Sequence, residues 1–401
     1  MLNHCLAAAL IAVTCAACSN QPDFDLVVSG GMLIDGTGAE ARRADVGIKG
    51  DRITAIGNLG SRTTSAAIDA SGKIVAPGFI NLLSRSGVAL LADGLAESQL
   101  RQGITSDILG AQSPAFWTQT TADEPALRRH GLTLDWSGLN GYFDKLEARG
   151  AAINVGTLIP LSSATGTTTI DEGLRDGAFG VIDDRGVTPA DLNAVGAVVA
   201  RHDGVLVVPA ENPIVSSDDA LAATATASRR LLVSDVVSAS ASTTTADLVE
   251  RMVRLNQRGT EIYAAAIPAG RPEEAISIRD ALRYGGVMVA ADTTAAFPGL
   301  LGPLVRDAHV MELREGVRRS TSLPASVLRL QERGIIRERW FADVVVFDER
   351  AIADRPVGGT PNDHPAGIDY VIVNGVVAVA PKGLTGARPG YPLLRRAANG
   401  T

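Results

Sequence analysis

Val75-Ala76-Pro77-Gly78-Phe79-Ile80-Asn81-Leu82-Leu83-Ser84-Arg85 is the stretch on which the reading of this chain turns. It lies within an apolar, strand-like run, Ile74–Leu83, the first of eight. The others are Thr105–Gly110, Ala152–Ile159, Ala178–Ile182, Val205–Pro209, Leu231–Val237, Glu261–Ile267 and Val287–Asp292. Helical patterns separate most of them. Thr188-Pro189-Ala190-Asp191 offers a capping threonine and a proline in the first turn, after which Leu192, Val195 and Val199 share one face. Leu248, Met252 and Leu255 form a second stripe, which Gly259 ends. Eight strands alternating with helices predict a (β/α)8 TIM-type barrel. An open doubly wound sheet fits less well, because no glycine fingerprint follows the first strand.

The flanks of the barrel read differently. Phe24–Gly31, Val46–Lys49 and Arg52–Ile56 are strand-like, with Gly50-Asp51 a hairpin signal between the last two. Near the other end, Ala342–Asp348 is a strand, and Tyr370–Val373 turns at Asn374-Gly375 into Val376–Val379. Asn-Gly supplies the positive φ angles of a type I′ turn. Neither β segment has enough apolar surface to stand alone. The expected organisation is a composite β-sandwich from residues 24–75 and 337–395, around a barrel spanning 76–336. One connection is unusual: from Ser113 to Ser137 it carries Phe116, Trp117, Trp136, Pro114 and Pro125. It reads equally well as a cover over the barrel mouth or as a packed surface excursion.

Composition narrows the partners. The chain has 401 residues, 46% apolar and 20% charged, with a net charge of -7 and no basic run, which argues against a nucleic-acid partner. Cys5, Cys15 and Cys18 are all the cysteines, so the body beyond Cys18 can form no internal disulfide and offers no thiolate ligand. Residues 1–18 read as a signal peptide, apolar from Leu6 to Ala17 and too short to span a membrane comfortably. The small residues before Cys18 resemble a bacterial lipobox, which implies lipidation at Cys18 and a membrane-anchored place in the cell envelope. The alternative is an ordinary cleaved signal peptide.

The quoted stretch, taken with Gln102-Gly103-Ile104-Thr105, Gly177-Ala178-Phe179-Gly180, Thr321-Ser322-Leu323-Pro324-Ala325, Phe341-Ala342-Asp343 and Gly386-Ala387-Arg388-Pro389-Gly390, resembles the amidohydrolase superfamily. The likeness is to its N-acyl-D-amino-acid deacylase branch and covers most of residues 24–395. It implies hydrolysis of the amide bond of N-acyl-D-amino acids or related C–N substrates at a zinc centre. The ligands it implies are a first-strand His-x-His, a group after the second strand, histidines ending the fifth and sixth strands, and an aspartate ending the eighth.

Position by position, that set is depleted here. Leu83 and Arg85 stand at the first-strand pair, Leu109-Gly110-Ala111-Gln112 follows the second strand, and Pro209-Ala210-Glu211 ends the fifth. Ser234-Asp235-Val236 ends the sixth, and only Asp292, the implied catalytic base, survives. Leucine has no lone pair to give. An arginine about 4 Å from a divalent ion adds roughly 8 kcal/mol of repulsion at an effective dielectric of about 20. That is a large share of the roughly 10–16 kcal/mol of a complete zinc site. His130, His202, His309 and His364 are the histidines beyond the leader, and none is paired at ligand spacing. The expectation is therefore no bound cofactor, with Leu83, Arg85, Gln112, Pro209, Glu211 and Asp235 lining a pocket for a small molecule. A salt bridge between Asp292 and Arg85 would fill the vacated site. Two further readings stay open: a non-catalytic binding or scaffold protein, and an enzyme rebuilt on carboxylates such as Asp183, Asp184, Glu211 and Asp235.

Overall fold

The computed structural model describes residues 22–119, 122–164, 166–238, 244–266, 275–291, 296–355 and 364–395. The leader with Cys18 and the acid Asp292 lie outside the described residues. Eight parallel strands form the barrel wall: Phe79–Ser84, Ile104–Leu109, Asn154–Thr157 with its continuation Ile159–Pro160, Gly180–Ile182, Val205–Pro209, Leu231–Ser234, Ile262–Ala266 and Val287–Val289. Most of their residues are buried on both faces, which is why they read as continuous apolar runs rather than alternating ones. The two expected helices are present. Thr188 accepts from Asp191 N at the start of Pro189–Arg201, and Thr244 and Asp247 form a capping box at the start of Thr245–Asn256.

The apolar run Ile74–Leu83 proves to be two strands. Ile74–Pro77 belongs to the outer sandwich and Phe79–Ser84 to the barrel. The chain changes sheets at Gly78, where a Cβ would lie 2.1 Å from Thr105 Oγ1, so no larger residue fits. Apolarity alone cannot record which sheet a buried strand joins.

Two sheets make the sandwich. One orders Arg52–Gly57, Asp45–Lys49, Phe24–Ser29 and Thr64–Asp69. The other holds seven strands and mixes both ends of the chain, pairing Val344–Phe347 antiparallel with Ile74–Pro77. Leu26, Val28, Val46, Ile48, Val75, Val344, Val346 and Ile372 fill the space between them. Asn374 and Gly375 take φ of 48° and 80°, as the type I′ turn requires.

A buried polar network joins barrel and sandwich. Arg333 pairs with Asp343 and donates to Asn374 Oδ1 at 2.9 Å. Asn374 Nδ2 donates to Asn154 Oδ1 at 2.7 Å, and Asn154 Nδ2 donates to Thr105 O at 3.0 Å. All four side chains are buried. Phe341 lies between the guanidinium groups of Arg52 and Arg333, 3.6 and 3.8 Å from its ring centre.

The Ser113–Ser137 excursion is packed wall rather than cover. Trp117 and Trp136 are buried, Trp136 Nε1 donates to Pro114 O at 2.8 Å, and Trp136 meets Tyr142 edge-on at 6.2 Å. None of its described residues lines the mouth cavity.

Candidate functional site at the barrel mouth

The C-terminal ends of the strands surround a cavity of about 270 Å³. Leu83 and Arg85 line it from the first strand, Ala111 from the second and Ile182, Asp183, Asp184 and Gly186 from the fourth. Pro209 and Glu211 come from the fifth strand, Ser234 and Asp235 from the sixth. Five of the six pocket residues expected from sequence therefore share one wall. Gln112 is exposed and is not part of that wall.

Backbone strain gathers at this rim. Leu83 and Asp235 hold φ of 63° and 55°, a region that costs a non-glycine residue energy. Leu83 sits where the pairing of the first two strands shifts register, between Asn81 opposite Asp107 and Ser84 opposite Leu109. Gly110 permits that bulge, since a Cβ there would lie 2.8 Å from the Leu83 Cα.

The acids differ in what they already hold. Asp183 is buried; its Oδ1 accepts from the backbone N–H of Arg185, Gly186 and Val187 at 2.9–3.3 Å, and its Oδ2 from Asn212 Nδ2 at 2.8 Å. It organises the turn after the fourth strand. Asp184 ties down Ser162, accepting from its N–H at 2.8 Å and from its hydroxyl. Glu211 is exposed at the rim. Among the described residues no three His, Cys, Asp or Glu side chains converge as metal ligands do. The histidines lie elsewhere: His202 caps the end of Pro189–Arg201 and bonds Asp171 at 2.8 Å, His130 ends Glu124–Arg129, and His309 and His364 are exposed.

One acid beside the cavity escaped the sequence reading. Asp107, fully buried on the second strand, accepts from Asn81 Nδ2 at 2.8 Å, Ser84 Oγ at 2.8 Å and Ser86 Oγ at 2.6 Å. Burial pushes its carboxyl above the ordinary range, against the pull of the hydrogen bonds from Ser86, Ser84, Asn81 and Gln99.

No family model matches the chain. Two relatives from Alcaligenes xylosoxydans xylosoxydans align over nearly full length. D-aminoacylase is 26% identical over 95% of this chain and 99% of its own, and N-acyl-D-glutamate deacylase is 29% identical over 94% and 98%. The fold overlays with a TM-score of 0.80 on the N-acyl-D-glutamate deacylase of Bordetella bronchiseptica, solved with zinc and a phosphonate inhibitor. That match is 24% identical and covers 92% of this chain and 99% of that one. D-hydantoinase overlays at 0.67 with 16% identity, covering 93% of this chain and 99% of that one. Its homologues are thus D-aminoacylases and N-acyl-D-glutamate deacylase, and its fold is that of the amidohydrolase-superfamily D-aminoacylases. A TIM-type barrel with an outer sheet domain is the architecture of the chain, as the sequence led one to expect.

Asp107 has a consequence for stability. An acid whose pKa is raised by folding contributes stability below its unfolded value, near 3.8, and loses that contribution as pH rises through the folded value. The melting temperature should therefore fall, relative to Asp107→Asn, as pH climbs from about 4. Parallel melting curves for the two chains across that range would show that Asp107 carries no such linkage.

Proposed function

We propose that this chain is an amidohydrolase-fold protein that keeps the barrel and mouth of the N-acyl-D-amino-acid deacylases but has lost their metal site. On this reading it binds a small molecule at the mouth and hydrolyses little or nothing. The observation that carries the reading is the first strand's delivery of Leu83 and Arg85 into the cavity wall, at the positions where the resemblance implies a histidine pair. Zinc needs three or four nitrogen, oxygen or sulfur donors at about 2.0–2.3 Å. Leu83 supplies none, Arg85 supplies a fixed cation, and the buried Asp183 is committed to the turn it organises. The described residues therefore do not fit the group. Asp292 without an acidified water has no proton to take in the manner of a metal-assisted hydrolase.

The names of the relatives point to the ligand class: an N-acylated D-amino acid, or a related molecule with a carboxylate and an amide. For location, we propose a membrane-anchored envelope lipoprotein with lipid on Cys18. Among the described residues no helix is long and apolar enough to cross a membrane, so attachment on this reading rests on the lipid.

Chain purified without chelators should carry substoichiometric zinc by elemental analysis and show no turnover of N-acetyl-D-glutamate above buffer. Introducing Leu83→His and Arg85→His together should raise zinc affinity only modestly, because the fifth- and sixth-strand donors would still be missing. Near-stoichiometric zinc with measurable deacylation would restore the hydrolase reading. Cys18→Ala should release the protein from membranes or block its processing; unchanged membrane fractionation would rule out the lipid anchor.

A further inference from the structure

Parallel ladders link the barrel strands in two arcs, from Phe79–Ser84 to Asn154–Thr157 and from Ile159–Pro160 to Val287–Val289. The first and last strands have no backbone ladder between them among the described residues. A side chain bridges this seam instead. Asn81 Oδ1 accepts from Ala291 N at 2.6 Å, and Asn81 Nδ2 donates to Ala291 O at 3.2 Å. The carboxamide thus offers one acceptor and one donor, as a neighbouring strand would. A flipped amide would lose both bonds, because it would set N–H against N–H and oxygen against oxygen.

Asp107 decides which way that amide faces. Its Oδ1 accepts from Asn81 Nδ2 at 2.8 Å, and an ionised carboxylate there would repel the amide oxygen of the flipped orientation. Its Oδ2 accepts from Ser84 and Ser86, the residues on either side of Arg85. Ser84 Oγ also takes the N–H of Ser86 at 3.2 Å, fixing the backbone around Arg85. One buried side chain therefore reaches both segments at issue at the mouth: the one carrying Arg85, and Ala291, which directly precedes Asp292 in the chain.

We propose that Asp107 is the positioning residue of the mouth, acting through Asn81 on Ala291, just past the last strand, and through Ser84 and Ser86 on the Arg85 segment. The role rests on the mouth being the ligand site, as proposed above, but its test needs no ligand, so the two readings can fail separately. Backbone amide exchange, measured on the full chain, reads it directly. The Ser86 and Ala291 amides lie 205 positions apart in sequence and depend on Asp107 only through its side-chain partners. The neighbouring Ala290 amide bonds Ala266 O at 3.0 Å and serves as an internal control.

In Asp107→Val, exchange at Ser86 and Ala291 should rise together by about tenfold or more over the change at Ala290, a ratio equivalent to about 1.4 kcal/mol of local protection. Asp107→Asn keeps an acceptor for Asn81 and should restore both. If Asp107→Val does not fold, Asp107→Ala carries the same comparison, since it too removes both oxygens. A uniform rise at all three amides would reduce Asp107 to a general stabiliser and overturn the proposal. So would a change at Ser86 without one at Ala291.

Discussion

Barrel and sandwich meet at a buried ion pair that neither could accommodate alone. Arg333 and Asp343 are each 5% exposed or less, and a charge so placed is tolerable only with its partner and a full set of hydrogen bonds. Asn374 and Asn154 supply that set, and each comes from a different part of the fold: a sandwich hairpin turn and the third barrel strand. Tyr391 N donates to Asn154 at 3.0 Å and Gly390 N to Ala151 O at 2.8 Å, which docks the C-terminal tail on the same junction. The sandwich must therefore hold this position for the barrel's lower face to be satisfied.

This junction explains which parts of the chain were legible. Asp343, Asn374 and the Gly386–Gly390 segment fall within the stretches that carried the family likeness or the hairpin reading, and Asn154 within the third strand-like run. Their requirements are local and strict: a positive φ at Asn374 and Gly375, a buried partner for one charge, a close backbone approach. Such requirements leave the same residues in the same order, so architecture could be read from them. The strand run Ile74–Leu83 was read as one element because apolarity is common to both sheets. Its division at Gly78 depends on Thr105, which lies 27 residues further on.

The mouth was legible in part. Leu83, Arg85, Pro209, Glu211 and Asp235 were placed there by strand ends, and the strands deliver them. Gln112 was misplaced because strand counting fixes where a turn begins but not which way its residues face. Asp107 was missed for another reason. An acid within a strand-like run reads as a flaw in an apolar pattern, and its partners lie up to 26 residues away, with the seam it supports 184 positions on. Periodicity carries no record of such a contact. The Trp117 and Trp136 excursion fitted two readings equally until burial placed both rings in the wall.

The mouth presents strained backbone, one arginine, and a buried Asp183 already committed to its own turn. On the proposed reading that is a poor cradle for a divalent ion, because each missing donor removes a bond and Arg85 adds repulsion. Thermal unfolding of metal-free chain with and without added zinc tests this most directly. A ligand that binds only the folded state adds stability by mass action, about 4 kcal/mol at a thousandfold excess over its Kd. The account predicts an unchanged melting temperature at micromolar zinc. A rise of several degrees, reversed by a chelator, would contradict it.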